Sequence, residues 1–504
     1  MSQRVFRTAA LPALAALALA GCSLAPKYER PQAPVSAQFP SYEGLGGQSD
    51  AASQLGVTAS ADLGWRQFFR DPQLQALIEI ALQNNRDLRI AVQRVEEARA
   101  QYGIQQSERL PTFGVGGNAQ VTRTPEDLRY GGADTPSVSR TYQAGVGITS
   151  FELDFFGRIK NLTEAAYQDY LATQEARRTV HITLIAQVAQ AYFSLRSAEQ
   201  QHALALKTLA SRQKSYDIVK SRYDGGVAGA LDLYQAQGQL DSVRSDIAQM
   251  ARLEDQAANA LRLLLGQDPP ADLPAPAVFG KDQLLASIPA GLPSELLTRR
   301  PDIIAAEHTL LGANANIGAA RAAFFPNISI TGLLGFASPA LGGLFSSENR
   351  YWTYTPQIQI PLFSGGVSGN LDLAEARKNI AVSQYEKTIQ TAFREVADAL
   401  AGEATYAGQL DALRSLEDST ARALEVARLR YEEGIDSFLQ VQTAEVALYS
   451  AQREFLQTGQ ASLANRVDLY KALGGGWVEN TGVAADAART PPVGAATGAD
   501  QAAQ

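Results

Sequence analysis

The chain lacks most of the residues that carry chemistry in enzymes. It has one cysteine and three histidines among 504 residues. A single thiol excludes a disulfide framework or a thiolate metal cluster within one chain. His181, His202 and His308 are too scattered to suggest a metal site or a catalytic triad. Charge is scarce: 19% of residues are Asp, Glu, Lys or Arg, against about 25% in ordinary globular chains. With a formal net charge of -8, the chain as a whole offers no basic surface for nucleic acid. Beyond the N-terminal segment there is no run of 18 apolar residues, so a spanning helix is excluded and any membrane crossing must be made by strands. Nucleophile elbows, phosphate loops and metal-ligand spacings are missing too. Paired acids occur at Glu96-Glu97 and Glu432-Glu433, but adjacent residues on a helix point to different faces and read as solvated surface. The expectation is no catalytic residue, no metal and no cofactor.

What is present begins with an export tag. Arg4 and Arg7 precede an apolar run from Ala9 to Ala20, and then come Gly21 and Cys22. Twelve residues are too few for a bilayer, and a charged start before a short apolar core is a secretory signal. The small residues before Cys22 resemble a bacterial lipoprotein box, which would make residues 1–21 a signal peptide and Cys22 the lipidated first residue. Ser23, rather than Asp, fits sorting to the outer membrane. Residues 22–61 are rich in Pro, Gly, Ser and Ala and read as a lipidated tether. Residues 475–504 read as a disordered, low-complexity tail.

Between tether and tail the chain is one unit written twice. An offset of 208 residues superimposes Tyr216–Gly266 on Leu424–Gly474, with identities at Arg222/Arg430, Tyr223/Tyr431, Gly226/Gly434, Leu231/Leu439 and Gly266/Gly474. Upstream, an offset of 215 pairs Asp87 with Asp302, Gly103 with Gly318 and Pro111 with Pro326. The two copies are expected at 62–280 and 281–474. Each should contain a helix (Pro72 to Arg109; Pro293 to Phe324), a strand pair (112–123 and 140–156; 327–337 and 351–363) and two long helices (158–224 and 229–266; 367–433 and 437–473). Between Gly157 and Tyr223 there is neither Pro nor Gly, enough chain for a helix of about 100 Å. Leu184, Val188, Ala191, Leu195, Ala198, His202 and Ala205 recur by four and three as a coiled-coil seam. Ile182, Ile185, Ala189 and Tyr192 make a second row beside it. His202 is expected to be packed and hydrogen-bonded rather than a ligand.

The strands alternate. Phe113, Val115, Ala119 and Val121 interleave with Gly114, Gly116, Asn118 and Gln120; Tyr142, Ala144, Val146 and Ile148 interleave with Gln143, Gly145 and Gly147. Strands of about ten residues, apolar on one face and small or polar on the other, suit a transmembrane barrel. A soluble half-buried sheet has the same periodicity; export and the Gly/Pro-rich loops favour the barrel. Four strands cannot close a membrane barrel, and an open edge in lipid leaves unpaired backbone groups. Several copies must therefore share one barrel.

On these residues the chain resembles the outer membrane factors of the TolC/OprM class, in their lipoprotein, NodT-like branch. The matching stretches include Pro26-Lys-Tyr28-Glu-Arg-Pro31, Trp65-Arg-Gln-Phe-Phe-Arg-Asp-Pro72, Asn85-Arg-Asp-Leu88, Phe151-Glu-Leu-Asp-Phe-Phe-Gly157, Arg299-Arg-Pro-Asp302 and Leu469-Tyr-Lys-Ala-Leu-Gly-Gly-Gly-Trp477. The resemblance implies a mainly α fold with a transmembrane β-barrel part: a homotrimer with four strands per chain in a 12-stranded barrel, and long helices in a periplasmic α-barrel. It implies a passive exit duct in the outer membrane, served by a periplasmic adaptor (membrane fusion protein) and an inner-membrane resistance–nodulation–division (RND) pump. Arg222, Tyr223, Gly226 and Val227, with Arg430, Tyr431, Gly434 and Ile435, correspond to the adaptor-contacting tips. Leu439 corresponds to the residue that narrows the pore. The acids the family carries just beyond it are replaced by Gln440 and Thr443, so Asp436 or Asp232 supplies a negative ring, or the gate has none; Asp436, two residues after the Gly434 turn, is the expected contributor. Asp436 also suits a helix N-cap. Competing readings are an outlet for ABC-type protein secretion, a lipid-anchored periplasmic coiled-coil scaffold or adaptor, and an exported enzyme.

Overall fold

A computed structural model describes residues 23–40, 62–130, 136–280, 283–285, 293–362 and 365–481. In chain order the helices and strands are α1 (Trp65–Phe68), α2 (Pro72–Asn84), α3 (Arg86–Ser107), β1 (Phe113–Arg123), β2 (Val138–Glu152), α4 (Arg158–Asp224), α5 (Ala230–Leu265), α6 (Pro293–Arg299), α7 (Pro301–Ala322), β3 (Asn327–Ser338), β4 (Arg350–Gln359), α8 (Gly365–Glu432) and α9 (Phe438–Ala472). None of the described helices is long and apolar enough to cross a membrane. Two compact units form, and neither coincides with a repeat: each takes segments from both copies.

The first unit holds the sheet. Its strands run antiparallel in the order β1-β2-β3-β4, so the second strand of one copy pairs with the first strand of the other. The register aligns Val115, Val146, Leu334 and Trp352 in one row, and Phe113, Ile148, Gly332 and Tyr354 in the next. Cross-strand partners share a face, so one face is mainly apolar, with Arg123, Arg140 and Arg350 at its loop end, while the other carries Asn118, Gln143, Thr353 and Gln357. Val115 is 86% exposed and Trp352 73%, so most of that face lies open among the described residues, with Phe345 packed on Phe336 near its loop end. β2 ends at Glu152, short of the expected residue 156, because Leu153 donates to Ile328 O and the chain then turns at Gly157. β4 stops at Gln359, and Phe363 lies outside the described residues. Arg158 holds Glu152 in a two-pronged ion pair, and Phe156 stacks on Phe325 at 4.7 Å. The tether as far as residue 32 belongs to this unit and is fastened within it: Ser23 Oγ donates to Asn161, Asn314 donates to Pro26 O, and Tyr28 and Arg30 both donate to Glu307. A Cβ at Gly318 would lie 2.7 Å from Ala25 N, so this docking requires glycine there.

The second unit is built on the two apolar rows of α4: Ile182, Leu184, Ile185, Val188, Ala189 and Tyr192 are all buried. His202, on the seam, bonds Glu254 at 2.7 Å. Asp71 starts α2 by accepting from Gln73 N ahead of Pro72, and its other oxygen accepts from Tyr192 and Gln283. Where one helix was expected from Pro72 and one from Pro293, the chain makes two each time, breaking at Asn85 and at Arg300. The breaks are equivalent. Asn85 Nδ2 donates to Leu264 O, and Arg300 NH1 donates to Ala472 O, the residue 208 positions on from Leu264. A kink residue in each copy thus secures the end of that copy's last long helix.

The expected loose tail begins later than residue 475. Val478 is buried, and Val478 O and Glu479 O accept from Trp65 N and Arg66 N. Trp477 meets His181 edge-to-face at 4.9 Å, between Arg177 and Arg178. Burial, helped by the charge of Arg177, pushes the His181 imidazole down to about 4. Between pH 6.5 and 4 the unfolded chain binds a proton there that the folded chain refuses. Stability should therefore fall by about 3 kcal/mol across that window and level off below it. Unfolding midpoints of the wild type and His181→Gln against pH check this: the variant should lose that part of the slope, and parallel curves would refute it.

Candidate gate at the long-helix turns

All the candidate gate and tip residues lie in the second unit, on two turns that the repeat makes alike. α4 ends at Asp224 and α8 at Glu432. Gly226 and Gly434 follow with φ of 75° and 74°, a conformation that β-carbons disfavour. Gly226 N donates to Tyr223 O and Val227 N to Arg222 O; Gly434 N donates to Tyr431 O and Ile435 N to Arg430 O. Each turn is a Schellman cap, which satisfies carbonyls at the helix end. Val227 and Ile435, 73% and 62% exposed, are presented at the apices.

Arg222 joins the two turns. Its NH1 donates to Tyr431 O at 2.8 Å, and its guanidinium lies 4.6 Å from the Tyr431 ring centre. A cation at this carbonyl is favoured by the negative end of the α8 dipole, and the ring face adds a cation–π contact. Tyr431 packs edge-to-face on Phe438 at 5.5 Å, over a small core with Val219, Ala236, Leu424 and Val441. Tyr223 is left exposed.

Leu439 is half exposed, as are Gln440 and Thr443; the Thr443 hydroxyl donates back to Leu439 O. Asp436 does not cap α9, whose N-cap is Ser437 with no side-chain bond. It accepts from Arg430 Nε at 2.6 Å instead, and that bond holds its carboxyl below the usual range and raises the guanidinium. Asp232 lies in the first turn of α5, 208 residues before Gln440. The acid absent from one copy's turn is therefore present in the other's.

Sequence reasoning missed a polar group directly above this core. Glu445 is 6% exposed, accepting at Oε1 from Arg428 and from Ser215, both at 2.7 Å; Arg428 also donates to Ser211. A cavity of about 150 Å³ lies beside them. A signal existed: Phe438, Val441 and Glu445 fall on one buried stripe of α9, where a carboxylate needs a partner. No cluster of three metal-ligating side chains occurs among the described residues.

A sheet with a mostly open apolar face and two unpaired edges, joined by chain to very long helices, defines an outer-membrane channel subunit. The outer membrane efflux protein family model matches residues 77–267 and 292–475, one stretch on each copy, and the chain belongs to that family. It is 44% identical over 473 residues to the probable efflux pump outer membrane protein TtgC of Pseudomonas putida, covering 94% of this chain and 96% of that one. It is also 44% identical over 480 residues to the outer membrane protein OprJ of Pseudomonas aeruginosa, covering 95% and 98%. Among solved structures, the open state of the MtrE outer membrane channel of Neisseria gonorrhoeae is similar with a TM-score of 0.80 at 39% identity, covering 91% of this chain and 100% of that one.

Proposed function

We propose that three copies of this chain close a 12-stranded barrel in the outer membrane and form the passive exit duct of a tripartite multidrug and small-molecule efflux system. The sheet carries this reading: four strands leave β1 and β4 unpaired, and in lipid those edges are acceptable only when neighbouring copies pair with them. Cys22 anchors the chain by its acyl groups; docking of the adjacent Ser23 on the first turn of α4 supports an anchor beside the strands. The turns at Gly226 and Gly434 face a periplasmic adaptor that couples the duct to an RND pump, with exposed Val227, Ile435 and Tyr223 as the contact residues. Leu439 narrows the closed pore. Arg222 and the Tyr431–Phe438 core hold the turns together, and Asp232 supplies the negative charge, since Arg430 already balances Asp436.

Neither a protein-secretion outlet nor a soluble periplasmic scaffold is favoured by any observation. Deletion of the gene followed by a susceptibility panel tests the proposal. Sensitivity to several unrelated small molecules is expected, restored by the wild type and, in part, by Cys22→Ser. The Cys22→Ser protein should still require detergent for extraction; its release by salt alone, or an unchanged panel, would overturn the reading.

A further inference from the structure

The apolar face of the sheet ends in charge. Arg140 pairs with Val121, Arg123 lies two residues beyond Val121, and Arg350 pairs with Phe336. By the strand alternation all three belong to the apolar face, at the end where the strands are joined by loops. All three are exposed, and beyond the backbone bonds of the ladder none of their side chains has a hydrogen bond or ion pair among the described residues. Among the described loop acids, Glu126 faces Arg129 at 3.8 Å, and Asp127 and Glu348 stand exposed without pairing with them. The next residue inward on the same face is Tyr142 below Arg140 and Trp352 below Arg350. From Tyr142 to Phe151 that face carries no charge. Ten residues at about 3.4 Å each, tilted as barrel strands are, span about 25 Å, the height of an apolar lipid band.

An arginine inside that band costs a few kcal/mol, and one at its rim little. Three unpaired guanidiniums just outside an aromatic row are therefore at headgroup depth. A guanidinium recognises phosphate through two parallel hydrogen bonds, and does so more strongly than it binds neutral groups. We propose that Arg123, Arg140 and Arg350 bind the phosphates of the phosphorylated glycolipid in the outer leaflet of the outer membrane. This rests on the reading above that the long helices lie in the periplasm, which turns the loop end outward.

The test uses the full-length protein in nanodiscs of phosphatidylcholine doped with lipid A, with dephosphorylated lipid A or with phosphatidylglycerol, and reads bound lipid by native mass spectrometry. The wild type should retain lipid A about tenfold better than the dephosphorylated form and better than phosphatidylglycerol. The triple variant Arg123→Gln/Arg140→Gln/Arg350→Gln should lose that preference. An equal preference in the variant, none in the wild type, or matching retention of phosphatidylglycerol would overturn the proposal. If the triple variant fails to fold, the single Arg140→Gln and Arg350→Gln proteins must each weaken retention; wild-type retention in both sinks the idea. Topology is read separately by labelling Gly342→Cys, an exposed position with open space around it, in intact cells. Labelling without lipid preference refutes the site alone, whereas failure to label refutes the orientation on which it depends.

Discussion

Arg300→Ala is expected to be among the most destabilising single substitutions outside the sheet, at about 3–5 kcal/mol. Arg300 is 8% exposed, grips Asp302 with two bonds and donates from NH1 to both Glu395 and Ala472 O. Truncation leaves two carboxylates and a carbonyl without their donor. Because the side chains of Asp302 and Glu395 keep 28% and 32% exposure, water recovers some of the loss, and the lower end of that range is expected. Arg300→Lys keeps the charge but not the fork and should fall between. Asn85→Ala removes the equivalent tie in the first copy, but loses only neutral hydrogen bonds at Leu264 O and Leu88 N, worth about 1–2 kcal/mol. Unfolding midpoints of the three variants in detergent decide the matter. An Arg300→Ala protein no less stable than Asn85→Ala would refute the assignment of Arg300 as the stronger tie.

Arg428→Ala should loosen the turns by about 3 kcal/mol, because Glu445 is buried and keeps only Ser215 as a hydrogen-bond donor, with the Arg212 charge nearby as partial compensation. The core below it, Tyr431, Phe438 and Val441, forms the base of the proposed gate, so the loss should appear in conductance as well as in stability. In planar bilayers the closed-state current of Arg428→Ala should exceed that of the wild type. Asp436→Ala, which removes a charge already balanced by Arg430, should leave it unchanged. The double variant Arg428→Ala/Glu445→Leu should recover much of the stability, since apolar replacement of a buried pair is often neutral or better. Equal losses in the single and double variants would show that the ion pair does not hold this core.

Much of the architecture was legible because it depends on local chemistry. The long stretch without Pro or Gly from Arg158 marks α4, and Gly226 and Gly434 mark turns that need a left-handed residue. Alternation at Val115 and Val146 assigned the faces of β1 and β2 before the register aligned them. The kink at Arg300 was legible from Pro301, because the residue before a proline is pushed out of the helical region; the kink at Asn85 has no such marker, and bonds to Leu264 O and Ala472 O, more than 170 residues away, hold the two breaks. The ordered strap from 475 to 481 looked like tail for a similar reason. Its order comes from contacts with Trp65, Arg66 and His181, which spacing along the chain does not show.

By itself, the sequence determined the duplication, the lengths of the longest helices, the strand faces and the need for more than one copy. All of these follow from composition, periodicity and the rule that lipid tolerates no unpaired strand edge. Only the tertiary structure decided that the compact units mix the two copies, that Arg430 neutralises Asp436, and that Glu445 is buried with Arg428. Those outcomes depend on which side chains from distant segments come within hydrogen-bond reach, and one-dimensional spacing does not encode that distance.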